Sequence, residues 1–177
     1  MKMLTVAALM CTIMALTTAD DPAEAKSEND QTVSSVETDL VKRTYGCSYG
    51  WRRLCGRCFR YVARPLRWAQ AEKNCQAMGG NLASVHNYRE YRSIQRLIVH
   101  RCHRYREIWL GGHDGEEERA WLWSNGRRFN YRNWCRGEPN NSRGSQHCLT
   151  MNHTVRRCWD DDHCNKRKPS VCVKRRY

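Results

Sequence analysis

The apolar positions change period along the chain. Cys58-Phe59-Arg60-Tyr61-Val62 alternates as a strand does, with successive side chains on opposite faces. Trp68, Ala71, Cys75 and Met78 then fall at helical spacing after Pro65, and Gly79-Gly80 stop that helix. Asn81 to Val85 reads as a short strand. Asn87 followed by Glu90 three residues on resembles a capping box, and Tyr91, Ile94, Leu97 and Ile98 give the second helix its apolar stripe. After residue 106 only short strands remain: Ile108-Trp109-Leu110, Trp121-Leu122-Trp123, His147 to Met151 and Ser170 to Lys174. Between Ser124 and Gln146, Asn, Gly and Arg dominate over aliphatics, which predicts a long ordered surface loop. Two helices followed by short antiparallel strands give an α+β fold class.

The N-terminal region has a different character. Lys2, the mostly apolar run Met3 to Leu16 and the small residues Thr17-Thr18-Ala19 read as a secretory signal over residues 1–19. Residues 20–43 hold seven acids and three bases, with no aromatic and no cysteine, and end in the dibasic pair Lys42-Arg43. That composition cannot bury a core, so this segment is read as an acidic propeptide or a retained linker. The folded domain is then 44–177. No run reaches the roughly 18–20 apolar residues of a membrane span, which argues against an integral membrane protein. Eleven cysteines in 177 residues point to an oxidising compartment, hence a secreted, extracellular protein. Cys11 leaves with the signal, and the remaining ten make an even number.

Removing the two N-terminal segments also sharpens the charge. The whole chain carries +13, but residues 44–177 hold 27 Lys and Arg against 11 Asp and Glu, a net +16. Twenty-three of those bases are Arg, whose planar fork suits carboxylate, sulfate and phosphate.

Several motifs occur in a fixed order: the helix Trp68 to Cys75, Trp109-Leu110-Gly111-Gly112, Trp121-Leu122-Trp123, Glu138-Pro139-Asn140, Cys148, Trp159-Asp160-Asp161, Cys164 and Cys172. Together they resemble a C-type lectin-like domain over about residues 47–175, most of all the small secreted fish lectins and the related type II antifreeze proteins. The resemblance implies a loop-within-a-loop fold whose ends meet and whose long loop carries the ligand site. It also implies the disulfides Cys75–Cys172, Cys148–Cys164, Cys47–Cys58 and Cys135–Cys158. Cys55 and Cys102 are left over: either they bridge each other, or one links two chains into a homo-oligomer. Ten cysteines allow about 945 pairings, so spacing alone fixes none of these.

For a lectin of this family the resemblance implies a Ca²⁺ and sugar site at Glu138, Asn140, Gln146, Asp160 and Asp161, with a cis Glu138–Pro139 bond. Ca²⁺ takes several oxygen ligands, carboxylates and amide carbonyls together, and this set supplies both. In the family, two sugar hydroxyls join the ion and hydrogen-bond the same side chains. The Glu-Pro-Asn order resembles the mannose-type lectins, implying carbohydrate partners such as mannose-type glycans on microbial surfaces. Two positions depart from the pattern: Gln146 stands where a Glu is usual, and Asp160 where an Asn is usual. Asn140-Asn141-Ser142 and Asn152-His153-Thr154 are N-glycosylation sequons; a glycan on Asn140 would block the site, and one on Asn152 would decorate the surface.

The arginines suggest a second class of partner. Arg89, Arg92 and Arg96 fall on one face of the second helix, among pairs and triplets spread through the domain. A calcium-independent cationic defence protein, similar to the major basic protein branch of the family, would bind polyanions such as lipopolysaccharide or sulfated glycans. Ice binding is a third alternative. The cysteine pair that the antifreeze subgroup carries near Gly115 and His147 is missing, and so charged a surface suits ice poorly. No motif places a nucleophile beside a base, so the expectation is no enzyme. Cys55-Gly56-Arg57-Cys58 has the C-x-x-C form, but no second pair completes a zinc quartet.

Overall fold

The structure is a computed structural model and describes residues 46–174; the expected signal and acidic segments lie outside them. The elements are β1 (Arg52–Leu54), β2 (Arg57–Leu66), α1 (Trp68–Ala77), β3 (Asn81–Leu82), α2 (Tyr88–Cys102), β4 (Ile108–His113), β5 (Leu122–Trp123), β6 (Cys148–His153), β7 (Cys158–Asp162) and β8 (Lys168–Lys174). The strands run in the order β1-β2-β8-β4-β6-β7, with β3 on β8 and β5 on β4. Among the strand pairs of the described residues, β4–β8 is the parallel one. The ends of the domain meet because β2 and β8 pair antiparallel, Phe59 opposite Val173 and Tyr61 opposite Val171. This is the α+β, C-type lectin-like arrangement expected. Among the described residues no helix is long and apolar enough to cross a membrane.

Both helices start as the sequence predicts, with one difference at α2. Asn87 Oδ1 accepts from the Glu90 N–H at 2.9 Å, but Glu90 reaches back one residue further, accepting from the His86 N–H at 2.8 Å. Glu90 is also ion-paired with Arg57, so the cap fastens α2 to β2. His103, in the left-handed conformation, ends α2. The expected strand Asn81 to Val85 is paired as a strand only at Asn81–Leu82; beyond it, Ala83 N–H donates to Val171 O, and the Ala83 carbonyl accepts the Gly111 N–H.

The core lies between α2 and the sheet, with Ile94 and Ile98 against Ile108, Leu110, Leu149 and Trp159. A second apolar cluster around Trp109 joins α1 to β8. The Trp-Leu-Gly-Gly motif has a direct explanation here. A Cβ on Gly111 would lie 2.7 Å from Ser124 Oγ and 2.8 Å from Leu82 O, so β3 and the start of the long loop close over bare backbone. Buried Glu72 ties the same junction, accepting from Leu82 N–H (2.8 Å), Asn81 Nδ2 (2.6 Å), Gln76 Nε2 (2.9 Å) and Ser124 Oγ (3.0 Å).

Four disulfides staple the domain: Cys47–Cys58, Cys75–Cys172, Cys135–Cys158 and Cys148–Cys164. Cys55 and Cys102 do not bridge each other. The reason is the length of α2. Cys55 lies beside Ser93, 3.8 Å from its hydroxyl, whereas Cys102 is nine residues further along the helix, about 13 Å at 1.5 Å per residue. Cys102 instead points its thiol at the carbonyls of Ile98 and Arg104, 3.1 Å from each.

Candidate functional site

The long loop has few aliphatic anchors, and aromatic rings replace them. Phe129, Tyr131 and Trp134 pack on Trp121, Trp123 and Trp159, with ring centroids 4.6–6.1 Å apart. Trp134 also bridges Trp159 in parallel, and Cys135–Cys158 fixes the loop to β7 immediately beside it. The following residues, Arg136 to Gln146, therefore return over β7 at a set height.

There the Glu138–Pro139 bond is cis, and Glu138, Asp160 and Asp161 each offer a carboxylate oxygen within 4.8 Å of the others. Asp161 is 1 % exposed and holds the loop: its two oxygens accept the N–H groups of Asn140 (3.0 Å) and Asn141 (2.7 Å). Asn140 Nδ2 donates to Glu138 Oε1 at 2.9 Å, and Asn140 Oδ1 accepts the Ser142 N–H at 2.8 Å. Glu138 Oε2 is buried with no hydrogen-bond donor near it.

The electrostatics follow from this crowding. Burial pushes the Asp160 carboxyl up to about 7; the nearby His153 opposes the rise, while the Glu138 and Asp161 carboxylates add to it. His153 Nδ1 lies 3.3 Å from Asp160 Oδ2. Three carboxylates this close together make a local acidic site on a domain that is otherwise strongly basic. Oxygen donors without thiolate favour a hard cation such as Ca²⁺. The residues present fit that ion: Glu138, Asp160 and Asp161 have the charge to hold it, and Asn140 an amide carbonyl.

Gln146 belongs to the same loop but is already engaged. Its Oε1 accepts the Ser142 N–H at 2.6 Å, and its Nε2 donates to the Asp161 carbonyl at 2.9 Å. It braces the loop where the sequence reading placed it among the ligands. The third acid of β7, Asp162, faces Lys166 (2.7 Å) and Lys168 (3.0 Å) and takes no part.

Asn152 corrects a second expectation. It is 5 % exposed, with its Nδ2 donating to Arg106 O at 3.0 Å and its Oδ1 accepting from Gln95 Nε2 at 3.2 Å. Its amide nitrogen is committed inside the fold, so the surface position that a glycan needs exists at Asn140 and not at Asn152.

Two features of this region escaped the sequence reading. Asn141 adopts a left-handed conformation (φ 42°); its Oδ1 accepts the Gln146 N–H at 2.9 Å, and its Nδ2 donates to Glu118. Through Glu118 it touches a second group of metal-competent side chains, Asp114, Glu118 and His147, whose ligand atoms also lie within 4.8 Å of one another. Asp114 is buried there, 3.1 Å from His147 Nδ1. The Asp114-x-x-x-Glu118 spacing was the available signal.

The comparisons with known proteins agree with this architecture. Residues 64–174 match the lectin C-type domain model. The chain is 34 % identical to the ladderlectin of Oncorhynchus mykiss, over 96 % of this chain and 92 % of that protein. It is 36 % identical to the galactose-specific lectin nattectin of Thalassophryne nattereri, over 78 % of this chain and 87 % of that one. Among solved structures, the herring type II antifreeze protein superposes with a TM-score of 0.68 at 30 % identity, covering 73 % of this chain and 98 % of that one. These relatives are non-enzymatic lectin and antifreeze-type proteins.

Proposed function

Because the chain belongs to the C-type lectin family, we propose that it is a secreted, Ca²⁺-dependent sugar-binding lectin acting in innate defence on mannose-type glycans of microbial surfaces. The observation that carries this reading is the convergence of Glu138, Asp160 and Asp161, each with a carboxylate oxygen within 4.8 Å of the others, together with a buried Glu138 Oε2 that has no hydrogen-bond partner. Three acids in that arrangement repel one another, so Asp160 holds its proton up to about 7, and a cation bound among them would relieve the repulsion once that proton is lost. Ca²⁺ supplies that charge and an open coordination position for sugar hydroxyls. Glu138 and Asn140, on either side of Pro139, would offer an acceptor and a donor to equatorial hydroxyls when the bond between their side chains opens; this supports the mannose type even though nattectin is named galactose-specific. Asp161 and Gln146 hold the loop backbone, and Asp160 replaces an amide donor with a carboxylate, which strengthens the hold on the ion at the expense of one sugar hydrogen bond. Cys55, exposed at the β1–β2 turn, is the residue through which two copies would bridge.

A glycan array read with Ca²⁺ and with EDTA, at two salt concentrations, tests this. Mannose-type glycans should bind with Ca²⁺ and be released by EDTA, with little effect of salt. Binding that survives EDTA and falls with salt would replace the lectin reading with a cationic one.

A further inference from the structure

The outer face of α2 and the β1–β2 hairpin form a second cleft that shares no residue with the long-loop site. Arg53, Arg89, Arg92 and Arg96 line it together with Cys55 and Tyr88, and it encloses about 500 Å³. It continues along the helix into a smaller hollow of about 200 Å³ between Arg52, Leu54, Leu97 and His100. Arg89, Arg92 and Arg96 are exposed, and none of the three pairs with a carboxylate among the described residues. The acid of this helix, Glu90, is buried and taken by Arg57 and the His86 N–H. Like charges three and four apart cost a helix a few tenths of a kcal/mol per pair. The row persists here without local compensation.

We propose that this cleft binds a linear sulfated glycan, independently of Ca²⁺. From Arg89 to Arg96 the guanidinium row extends about 10 Å along the helix, which suits successive sulfates on a chain better than a single small anion. Each guanidinium fork matches the oxygens of a sulfate group, and the Leu54 and Leu97 side chains give the sugar rings an apolar floor. Two other polyanion classes fit less well. Single-stranded nucleic acid needs aromatic platforms for successive bases, and the cleft holds one exposed ring, Tyr88, already stacked on Tyr91 at 6.3 Å. A lipid surface needs exposed apolar residues to insert, and Tyr88 is the one large hydrophobic side chain that the cleft exposes.

The test is direct binding of a heparin-derived hexasaccharide to the intact secreted chain, with EDTA present throughout so that the loop site plays no part. The triple variant Arg89→Gln/Arg92→Gln/Arg96→Gln is compared with Arg128→Gln/Arg156→Gln/Arg167→Gln, which removes the same charge from elsewhere on the surface. Circular dichroism confirms that both fold. The cleft variant should lose at least tenfold in affinity, and its dependence of log K on log salt should flatten by about 2, while the control stays within threefold of the wild type. Equal losses in the two variants would overturn the proposal, because they would show general charge attraction and no site. So would a wild type that fails to bind the hexasaccharide in EDTA. An oligonucleotide or an anionic vesicle that outcompetes the hexasaccharide at equal charge would overturn the assignment to sulfated glycan.

Discussion

Replacing Asp160 by Asn removes a charge that the apo domain holds at a cost. In the unfolded chain this carboxyl titrates near its ordinary 3.8; in the fold it titrates at about 7. Between these values the native state keeps a proton that the unfolded state has released. The contribution of this group to stability therefore falls as pH rises from about 4 to 7 and levels off above that. Each pKa unit corresponds to about 1.4 kcal/mol; solvent at the exposed rim around Asn140 screens part of the effect, leaving about 1–2 kcal/mol. The amide of the variant does not titrate. In EDTA, with disulfides intact, urea unfolding should find Asp160→Asn about 1–2 kcal/mol more stable than the wild type at pH 8 and equal to it at pH 4. Saturating Ca²⁺ should shrink or reverse the pH 8 gap, because the wild type keeps one more carboxylate for the ion. A gap that is the same at both pH values in EDTA, or a variant less stable at pH 8, would refute the reasoning.

Glu72→Ala strands four donors at the junction of α1, β3 and the long loop and should cost about 3 kcal/mol in urea unfolding; a loss below 1 kcal/mol would mean that water replaces the carboxylate freely. Gly111→Ala drives a methyl into Leu82 O and Ser124 Oγ and should cost about 1–3 kcal/mol in the same assay. Peptide mass spectrometry of the secreted protein should find Asn152 unmodified, since its amide is buried against Arg106 O; full occupancy there would contradict the structure.

What could be read from sequence was what repeats at short range. Helical spacing placed α1 and the start of α2 to within a residue or two, while α2 runs four residues beyond its apolar stripe, and the alternation at Cys58 to Val62 located β2. The edge strand β1 left no trace, because Arg52-Arg53-Leu54 pairs on one side only and shows no alternation. The loop looked polar because its anchors, Phe129, Tyr131 and Trp134, are sparse and act through Trp159, some thirty residues away. Glu138, Asp160 and Asp161 were legible through a resemblance, but their division of labour was not: that Asp161 clamps backbone and Gln146 braces it depends on how β7 lies under the loop. The surface glycan at Asn152 and the Cys55–Cys102 bridge, one of two alternatives for those cysteines, fail for one reason. A sequon or an even count of cysteines carries no information about burial or about distance along a helix.

On the proposed reading, Glu138, Asp160 and Asp161 hold Ca²⁺. Calorimetric titration of Ca²⁺ into the wild type and into Glu138→Ala at pH 7.5 tests it most directly. The wild type should give a saturable heat that is lost, or weakened at least tenfold, in Glu138→Ala. No heat from the wild type, or the same heat from both proteins, would contradict it.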